Sequence, residues 1–348
     1  MTPSLPAGYH SPQLDVDVRL NTNESPWPPP PGFTERLTAE LSHLDLNRYP
    51  DREAARLREA IAARHDVEPA QVFCANGSNE AIQLLLAARG GPGRSASVFS
   101  PTYTLHTHLS RLTGTEVHSH SRGEDFRLEA KVVKEAVQAH SPDVLFLCTP
   151  NNPTGTLDGP EIVDAALSSS SLVLVDEAYA EFAGAPSAVA RVNSDDLAVV
   201  RTFSKAWAMA GLRLGYAVAD ADLVTAMADR SLPYHLDVTK QLAGRLALAF
   251  ETEMLDRVRE IVSERERVLA ELRILAESAY DSAANFILFR PEGSAREVWS
   301  ALVERSVLVR DLSSAPGLEG CLRVTVGTPQ ENDRFLEALA DIGSTTSE

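Results

Sequence analysis

The sequence predicts an α/β protein in which helices cover a mostly parallel sheet, together with a smaller α+β domain. Short apolar runs alternate with helical segments through the middle of the chain, and a long charged helical pattern and a shorter mixed tail follow. Strands that are apolar on both faces and separated by helices are typical of parallel sheets covered on either side. The length of 348 residues exceeds one ordinary core and suits two units.

The predicted sheet and its helices occupy residues 33–240. The expected strands are the apolar runs at 71–75, 96–100, 143–148, 172–176, 198–202 and 214–219. The expected helices between them are 79–89, 104–112, 129–139 and 160–167. Two more helices are predicted before the first strand, because apolar residues recur at helical spacing from Phe33 and again from Leu57. These residues therefore predict a large α/β domain.

The two ends of the chain have different patterns. Residues 1–32 are rich in proline and predict an extended arm laid over another surface. Residues 242–279 form one long charged helical pattern, which suits a bridge between domains or a solvated amphipathic helix. The tail predicts strands at 284–289, 307–310 and 321–326, and helices at 295–304 and 331–340. We expect a small α+β domain over residues 241–348.

The charge balance excludes several classes of partner. Lysine and arginine total 32 against 49 aspartate and glutamate, and the formal net charge of −17 repels nucleic acid and anionic lipid. Any anionic ligand must therefore be held by local cations or helix ends. Three cysteines without CxxC spacing argue against a disulfide framework or a thiolate zinc site. With no signal peptide or membrane-spanning run in the sequence, we expect a cytoplasmic protein.

A lysine follows the apolar run at 198–202. Lys205 is flanked by the hydroxyls of Thr202 and Ser204, and Arg213 comes eight positions later. A guanidinium suits a phosphate by bidentate hydrogen bonding, and its charge together with desolvation lowers the pKa of a nearby amine toward a usable nucleophile. This pattern predicts a site for an aldehyde and a phosphate. By itself, it also fits an ordinary solvated lysine.

Polar residues follow three other predicted strands. Asp176 ends one of them, at the edge where open α/β sheets bind ligands, and it suits a protonated pyridine nitrogen or a helix N-cap. Asn152 follows another strand in a segment that fits a turn or a donor to a phenolic oxygen. Gly77 and Ser78 lie at a strand-to-helix junction, which suits an anion or a plain helix cap.

Two histidine pairs and a tryptophan fit less specific roles. The HxH pairs are at His106 and His108 and at His118 and His120, but no cysteine or acidic ligand accompanies them, and we predict no metal site. Trp207 lies close to Lys205 in the sequence and is expected to be a packing residue.

Taken together, these segments resemble fold-type I pyridoxal-phosphate aminotransferases. The matching motifs, in order and approximate spacing, are Asn76-Gly77-Ser78, Pro101-Thr102-Tyr103, Asn152-Pro153-Thr154-Gly155, Asp176-Glu177-Ala178-Tyr179, Ser204-Lys205 and Arg213. Segments 20–24, 48–51, 232–236, 284–286 and 322–328 further resemble the histidinol-phosphate aminotransferases. The resemblance covers nearly the whole chain.

The resemblance implies a seven-stranded, mostly parallel sheet, pyridoxal 5′-phosphate as cofactor, and a homodimer with shared active sites. It implies that the arm packs on the small domain or on the partner subunit. The implied catalytic residues are Lys205, Asp176 and Tyr179. Lys205 binds the cofactor and moves a proton between substrate and cofactor, Asp176 faces the pyridine nitrogen, and Tyr179 holds the phenolic oxygen together with Asn152.

Further contacts follow from the same resemblance. Tyr103 stacks on the cofactor ring, and Tyr49 reaches the phosphate of the cofactor bound in the neighbouring subunit. The remaining cofactor-binding residues are Gly77, Ser78, Asn79, Thr202, Ser204 and Arg213. The implied substrate-binding residues are Arg323, Arg310, Tyr9, Asn23 and Asn152.

The implied reaction exchanges the amino group of L-histidinol phosphate with 2-oxoglutarate, giving imidazole-acetol phosphate and L-glutamate in histidine biosynthesis. The sequence departs from the resembled group at Ser25, where asparagine is usual, and near Trp207. These departures leave open an aromatic or other amino-acid aminotransferase, or a decarboxylase of a phosphorylated amino acid. A ligand sensor of a transcription regulator is disfavoured, because no basic helix-turn-helix domain is present and Lys205 is retained.

Overall fold

The computed structural model describes residues 12–192 and 196–346, and two sheets lie within this part of the chain. The strands are β1 (Val18–Leu20), β2 (Val72–Ala75), β3 (Ser95–Ser100), β4 (Glu116–Ser121), β5 (Val144–Cys148), β6 (Leu172–Asp176), β7 (Leu197–Thr202), β8 (Gly215–Ala219), β9 (Ala276–Ala279), β10 (Phe286–Pro291), β11 (Val307–Asp311) and β12 (Leu322–Thr325). The helices are α1 (Pro31–Leu41), α2 (Ala55–His65), α3 (Ser78–Arg89), α4 (Thr104–Leu112), α5 (Ala130–His140), α6 (Pro160–Leu167), α7 (Ala221–Ala228), α8 (Val238–Ala249), α9 (Glu251–Leu275), α10 (Ala295–Glu304) and α11 (Pro329–Thr346).

The larger sheet has seven strands in the order β2-β8-β7-β6-β5-β3-β4. Only β8 runs antiparallel to its neighbours, β2 and β7. The predicted fold class is therefore confirmed. The prediction from apolar runs missed β4, because this edge strand has the mixed sequence EVHSHS and is not buried on both faces.

Alternate residues of the parallel strands enter two separate cores. Leu145 and Leu147 of β5 belong to one apolar cluster, whereas Phe146 belongs to the cluster on the opposite face. This arrangement follows from the two-residue period of a strand and explains why β5 is apolar at every position. Helices α2 and α8 contribute to the first core, and α3 and α7 contribute to the second.

The smaller sheet has five strands in the order β1-β11-β12-β10-β9, and β1 pairs with β11 in parallel. Strand β1 comes from the proline-rich arm, for which the sequence predicted no strand. A third core lies between this sheet and the helices α9, α10 and α11. Within the residues described, no helix is both long and apolar enough to span a membrane.

The prediction of one continuous helical pattern over 242–279 was wrong at two places, at residue 250 and over the last four residues. The structure breaks the helix at Phe250, where the backbone leaves helical geometry and the ring packs against Phe33 with centroids 6.0 Å apart. The final four residues form β9, which pairs with β10, because sheet pairing there replaces the helical hydrogen bonds. Between these points α9 runs 25 residues, and its buried Arg265 donates to the carbonyls of Phe182 at 3.3 Å and Ala284 at 3.1 Å.

Candidate active site

A cavity lies at the carboxyl ends of β5, β6 and β7, next to the first turn of α3. Parallel strands bring their carboxyl ends to one edge, and open α/β sheets bind ligands there. Cys148, Asp176 and Val200 are neighbours in register across the three strands. The cavity is lined by Thr22, Asn23, Ser78, Asn79, Tyr103, Cys148, Asn152, Asp176, Ala178, Tyr179, Thr202, Ser204, Lys205, Arg213 and Arg323. Most of the side chains singled out in the sequence therefore meet in one place.

The Lys205 amine is oriented by the N-terminal arm. Its Nζ donates to the carbonyl oxygen of Thr22 at 3.0 Å and lies 5.8 Å from the centre of the Tyr179 ring. Burial of the amine lowers the pKa of Lys205 to about 7, and the positive charge of Arg323 acts in the same direction. An amine with such a pKa is largely neutral just above neutral pH and can attack an aldehyde.

The carboxylate of Asp176 is buried and held by two donors. Its Oδ1 accepts the backbone N–H of Ala178 at 3.1 Å, and its Oδ2 lies 3.0 Å from Nε2 of His106. His106 is itself buried, and its ring stacks on Phe146 with centroids 4.7 Å apart. In the sequence, this histidine is recognisable only as a member of an HxH pair. Its place on α4, one turn after Tyr103, was the available signal for a contact to the site.

Tyr179, Asn152 and Arg323 form a second group opposite Lys205. Asn152 Oδ1 accepts from Arg323 Nη1 at 2.5 Å, and its Nδ2 lies 3.5 Å from the Tyr179 hydroxyl. Arg323 Nη2 also donates to the carbonyl of Asn21 at 3.0 Å. Burial raises the pKa of the Tyr179 phenol well above its usual range, so this hydroxyl keeps its proton at neutral pH.

The residues at the opposite end of the cavity form a cradle for an anion. Gly77 has φ of +89°, and a Cβ built there would lie 3.1 Å from Arg213 Nη2. Arg213 Nη1 donates to the Ser204 hydroxyl at 3.1 Å, and the Ser204 amide donates to Thr202 Oγ1 at 3.1 Å. The first turn of α3 points amide groups and the positive end of the helix dipole at the same space.

The cavity fits pyridoxal phosphate on these observations. The cradle of Gly77, Ser204 and Arg213 suits the phosphate, the amine of Lys205 suits the aldehyde, and the buried Asp176 suits the pyridine nitrogen. Tyr103, Asn79 and Thr202 also line the cavity, and the hydroxyl of Tyr103 lies 3.5 Å from Asn79 Oδ1. The individual contacts that each of these side chains makes with the cofactor stay predictions.

Among the predicted residues that the structure describes, Gly77, Tyr49 and Arg310 do not line this cavity, although Gly77 directly precedes the lining residue Ser78. Tyr49 is 81% exposed and stacks on Tyr234 with ring centroids 4.5 Å apart. Arg310 lies on β11 directly opposite Arg323 of β12, so both side chains leave the same face of the smaller sheet. Tyr9 lies outside the described residues. No group of three or more histidine, cysteine, aspartate or glutamate side chains in 12–192 and 196–346 has an arrangement that suits a metal ion.

Comparisons with known proteins identify relatives along almost the whole chain. The family model "Aminotransferase class I and II" matches residues 16–339. A histidinol-phosphate aminotransferase from Frankia casuarinae is 45% identical over 347 residues, covering 95% of this chain and 86% of the relative. A histidinol-phosphate aminotransferase from Corynebacterium glutamicum is 42% identical over 345 residues, covering 96% and 93%.

Solved structures share the same fold. The histidinol-phosphate aminotransferase of Sinorhizobium meliloti, solved in complex with pyridoxal-5′-phosphate, superposes with a TM-score of 0.88 at 22% identity and covers 95% of this chain and 92% of its own. The L-threonine-O-3-phosphate decarboxylase of Porphyromonas gingivalis has a TM-score of 0.81 at 25% identity, covering 94% and 99%. The chain therefore belongs to the aminotransferase class I and II family, and it is a fold-type I enzyme that uses pyridoxal phosphate.

Proposed function

We propose that this enzyme transfers the amino group of L-histidinol phosphate to 2-oxoglutarate, giving imidazole-acetol phosphate and L-glutamate. The named activity of relatives that are 45% and 42% identical over nearly the full length, histidinol-phosphate aminotransferase, supports histidinol phosphate as the amino donor. Histidinol phosphate carries its phosphate ester on the carbon next to the reacting carbon, and glutamate carries a carboxylate on the reacting carbon itself. A single cationic subsite beside the reacting carbon can bind either group.

The observation that carries the proposal is the arginine pair on the smaller sheet. Arg323 Nη1 lies 2.5 Å from Asn152 Oδ1, within the cavity that contains Lys205, and Arg310 is its register partner on β11. A planar guanidinium binds carboxylate and phosphate oxygens in the same bidentate manner. We assign the anionic end of either substrate to Arg323, with Arg310 and Tyr9 as further substrate contacts. Asn23 lines the same cavity, but its side chain is hydrogen-bonded to Tyr179 and Thr325.

The chemistry follows from the positions of these side chains. Pyridoxal phosphate, when bound, supplies the electron sink that makes the proton on the substrate Cα acidic. We assign the transfer of that proton to Lys205. With a pKa of about 7, a large fraction of its amine is neutral near neutral pH, and Thr22 holds the amine 5.8 Å from the centre of the Tyr179 ring. Asp176, which lies 3.0 Å from His106, would hold the pyridine nitrogen, and Tyr179 would donate to the phenolic oxygen.

We further propose that two subunits share their active sites. Tyr49, Tyr234, Leu46 and Leu232 are large apolar side chains that the single chain leaves exposed. Exposed apolar groups of this size mark interaction surfaces. Tyr49, which does not line the cavity of its own chain, would then bind the phosphate of the cofactor in the neighbouring subunit.

The three cysteines are free and buried, which supports a reducing cytoplasm as the proposed compartment.

The remaining assignments concern domain boundaries. We propose an arm over residues 1–32, a large cofactor-binding domain over 33–240 and a small domain over 241–348. The seven-stranded sheet lies within 72–219, and four strands of the five-stranded sheet lie within 276–325. The arm contributes the fifth strand, β1, which supports packing on the small domain.

A substrate panel tests the proposal. Purified enzyme with bound cofactor is given glutamate with imidazole-acetol phosphate, phenylpyruvate or another keto acid, and amino-group transfer is measured. The proposal expects kcat/KM for imidazole-acetol phosphate to exceed that for phenylpyruvate by about a hundredfold, because a phosphate ester has more negative charge and one more acceptor oxygen for the two arginines than a carboxylate has. Preference for phenylpyruvate would favour an aromatic aminotransferase, and carbon dioxide release without any keto acid would favour a decarboxylase.

An arginine variant tests the substrate subsite directly. Arg323→Lys keeps the positive charge but loses the bidentate geometry, so we expect KM for both anionic substrates to rise about tenfold to a hundredfold. Cofactor absorbance is expected to remain. An unchanged KM for imidazole-acetol phosphate would remove Arg323 from the substrate subsite.

A further inference from the structure

Asn23 of the arm is hydrogen-bonded at all of its polar groups and is 1% exposed. Its Nδ2 donates to the Tyr179 hydroxyl at 2.9 Å, and its Oδ1 accepts from Thr325 Oγ1 at 3.1 Å. Its backbone N–H donates to the same Thr325 oxygen at 2.9 Å, and its carbonyl accepts from Asn285 Nδ2 at 3.2 Å. The residue therefore has fixed partners in the protein itself.

The position of Asn23 joins three parts of the chain. Thr325 ends β12 of the five-stranded sheet, whereas Tyr179 follows β6 of the seven-stranded sheet. Asn23 itself belongs to the arm segment that also contacts Lys205 through Thr22. Its φ of +56° is in the left-handed region, which asparagine and aspartate adopt far more readily than other side chains except glycine. A single residue thus connects the smaller sheet to the phenol of the site.

The directions of these hydrogen bonds determine where the Tyr179 proton points. A backbone N–H only donates, so Thr325 Oγ1 accepts from it and directs its own proton to Asn23 Oδ1. That orientation turns Asn23 Nδ2 toward Tyr179, whose oxygen is the acceptor. The Tyr179 proton is then left to be donated into the cavity, and the bond it accepts strengthens it as a donor.

We propose that Asn23 is a positioning residue for transamination, which acts through Tyr179 by directing its hydroxyl proton toward the phenolic oxygen of the cofactor. The inference rests on the proposed site assignment, in which Tyr179 binds that oxygen. A donor to the ionised phenolic oxygen favours its charged form and lowers the pH at which the lysine-linked cofactor ionises. Loss of Asn23 must therefore raise that pH.

Asn23→Asp tests this with little change in shape or backbone preference. Aspartate still accepts from Thr325, but it has no donor for Tyr179 and attracts the tyrosine proton away from the cavity. In the cofactor-bound enzyme we expect the midpoint of the pH-dependent visible absorbance to rise by about one pH unit. We expect kcat to fall about tenfold, with KM changing less, because the contact acts on the reacting group.

Two comparisons separate this role from a general effect on folding. Thr325→Ser keeps the hydroxyl and is expected to retain the wild-type midpoint, whereas Thr325→Val is expected to raise it. In a Tyr179→Phe background, Asn23→Asp is expected to add no further shift, because residues that act through one group are not additive.

An unchanged midpoint in Asn23→Asp would overturn the inference, as would a full shift in the Tyr179→Phe background. The absorbance titration needs no amino-acid substrate. Failure of the enzyme to use imidazole-acetol phosphate would therefore overturn the substrate proposal, while the midpoint comparison would still decide the role of Asn23.

Discussion

Lys205 differs from an ordinary lysine because its amine is buried and lies near two arginines. Burial has the largest effect on its pKa, Arg323 and Arg213 lower it further, and the carboxylate of Glu24 raises it. The neutral amine is the form that reacts with an aldehyde, and its fraction grows as pH rises through about 7. Reactivity at neutral pH is thus a property of the pocket and not of the lysine alone.

Cofactor uptake by cofactor-free enzyme should follow this titration. We expect the second-order rate constant for pyridoxal phosphate binding to rise with pH, with its midpoint at a pH of about 7, and to level off at higher pH. Glu24→Gln removes a charge that raises the pKa and should move the midpoint to lower pH, whereas Arg323→Gln should move it to higher pH. Stopped-flow absorbance measures the rates, and comparison between variants cancels the ionisation of the cofactor itself. Midpoints that shift in the opposite directions would contradict the electrostatic account.

His106 should matter because it is the side-chain partner of a buried carboxylate. His106→Leu leaves Asp176 Oδ2 without this donor, so we expect the free energy of unfolding to fall by about 1–3 kcal/mol and kcat to fall about tenfold or more. His106→Gln offers an amide N–H and is expected to recover part of both losses. Urea unfolding and single-turnover kinetics measure the two effects. Wild-type values in the leucine variant would show that the backbone N–H of Ala178 suffices to hold Asp176.

For individual residues, the sequence motifs predicted which side chains meet in the site, but not every contact between them. Asp176 and Lys205 were recognisable because they end or follow apolar strands, whereas Arg323 was recognisable only through the family resemblance. The contact between His106 and Asp176 joins residues 70 positions apart and depends on how α4 packs over the sheet. No local pattern specifies such a packing, so the sequence left His106 as a possible member of an HxH pair.

The element that forms the anion cradle depends on the close approach of β8 to the start of α3. A Cβ added to Gly215 would lie 2.4 Å from the amide nitrogen of Ser78 and 2.9 Å from the carbonyl oxygen of Arg201. Both are backbone atoms, so the clash cannot be relieved by a side-chain rotation. The glycine lets the helix N-terminus sit against the strand that follows Arg213.

Gly215→Ala should therefore displace the first turn of α3 and weaken the cradle. We expect the affinity for pyridoxal phosphate to fall at least about tenfold, because amide groups misplaced by a few tenths of an ångström lose optimal contact with the phosphate. Gly211→Ala is the matched control, since a Cβ there meets no atom within 4 Å. Equilibrium titration of cofactor absorbance gives both affinities. Equal affinities for the two variants would show that α3 does not position the phosphate.

Helices and strands with strong apolar patterns were predictable from the sequence, whereas buried ion pairs between them were not. Helix 104–112 and strand 172–176 were located to the residue. Arg201 and Glu177, by contrast, look like surface charges in the sequence, but they are buried and joined at 2.9 Å. Their ion pair ties the ends of β6 and β7, the strands that precede Tyr179 and Lys205. Only the three-dimensional structure shows that these charges compensate each other.

For the whole molecule, charge must be considered locally as well as in total. The chain has a formal net charge of −17, yet the guanidinium groups of Arg213 and Arg323 line one cavity. A low-dielectric cavity strengthens the attraction of these cations for a phosphate or carboxylate relative to the screened surface charges. The acidic surface therefore does not prevent binding of the anionic cofactor and substrates that we propose.

A mixing experiment tests the shared active sites of the proposed homodimer. Tyr49→Ala lacks the residue lent to the neighbour, and Lys205→Ala lacks the residue that binds the cofactor in its own chain. Each variant alone should have little activity. A mixed dimer contains one complete site, formed by Lys205 of the first variant and Tyr49 of the second.

Random exchange at equal concentrations should restore about a quarter of wild-type activity, because half of the dimers are mixed and each has one intact site of two. The activity is measured after brief partial unfolding and refolding of the mixture, with each variant treated alone as the control. Tyr49 is exposed and does not line the cavity of its own chain, so we expect this outcome if the phosphate contact crosses the interface. Activity equal to the mean of the separate variants would show that each subunit completes its own site.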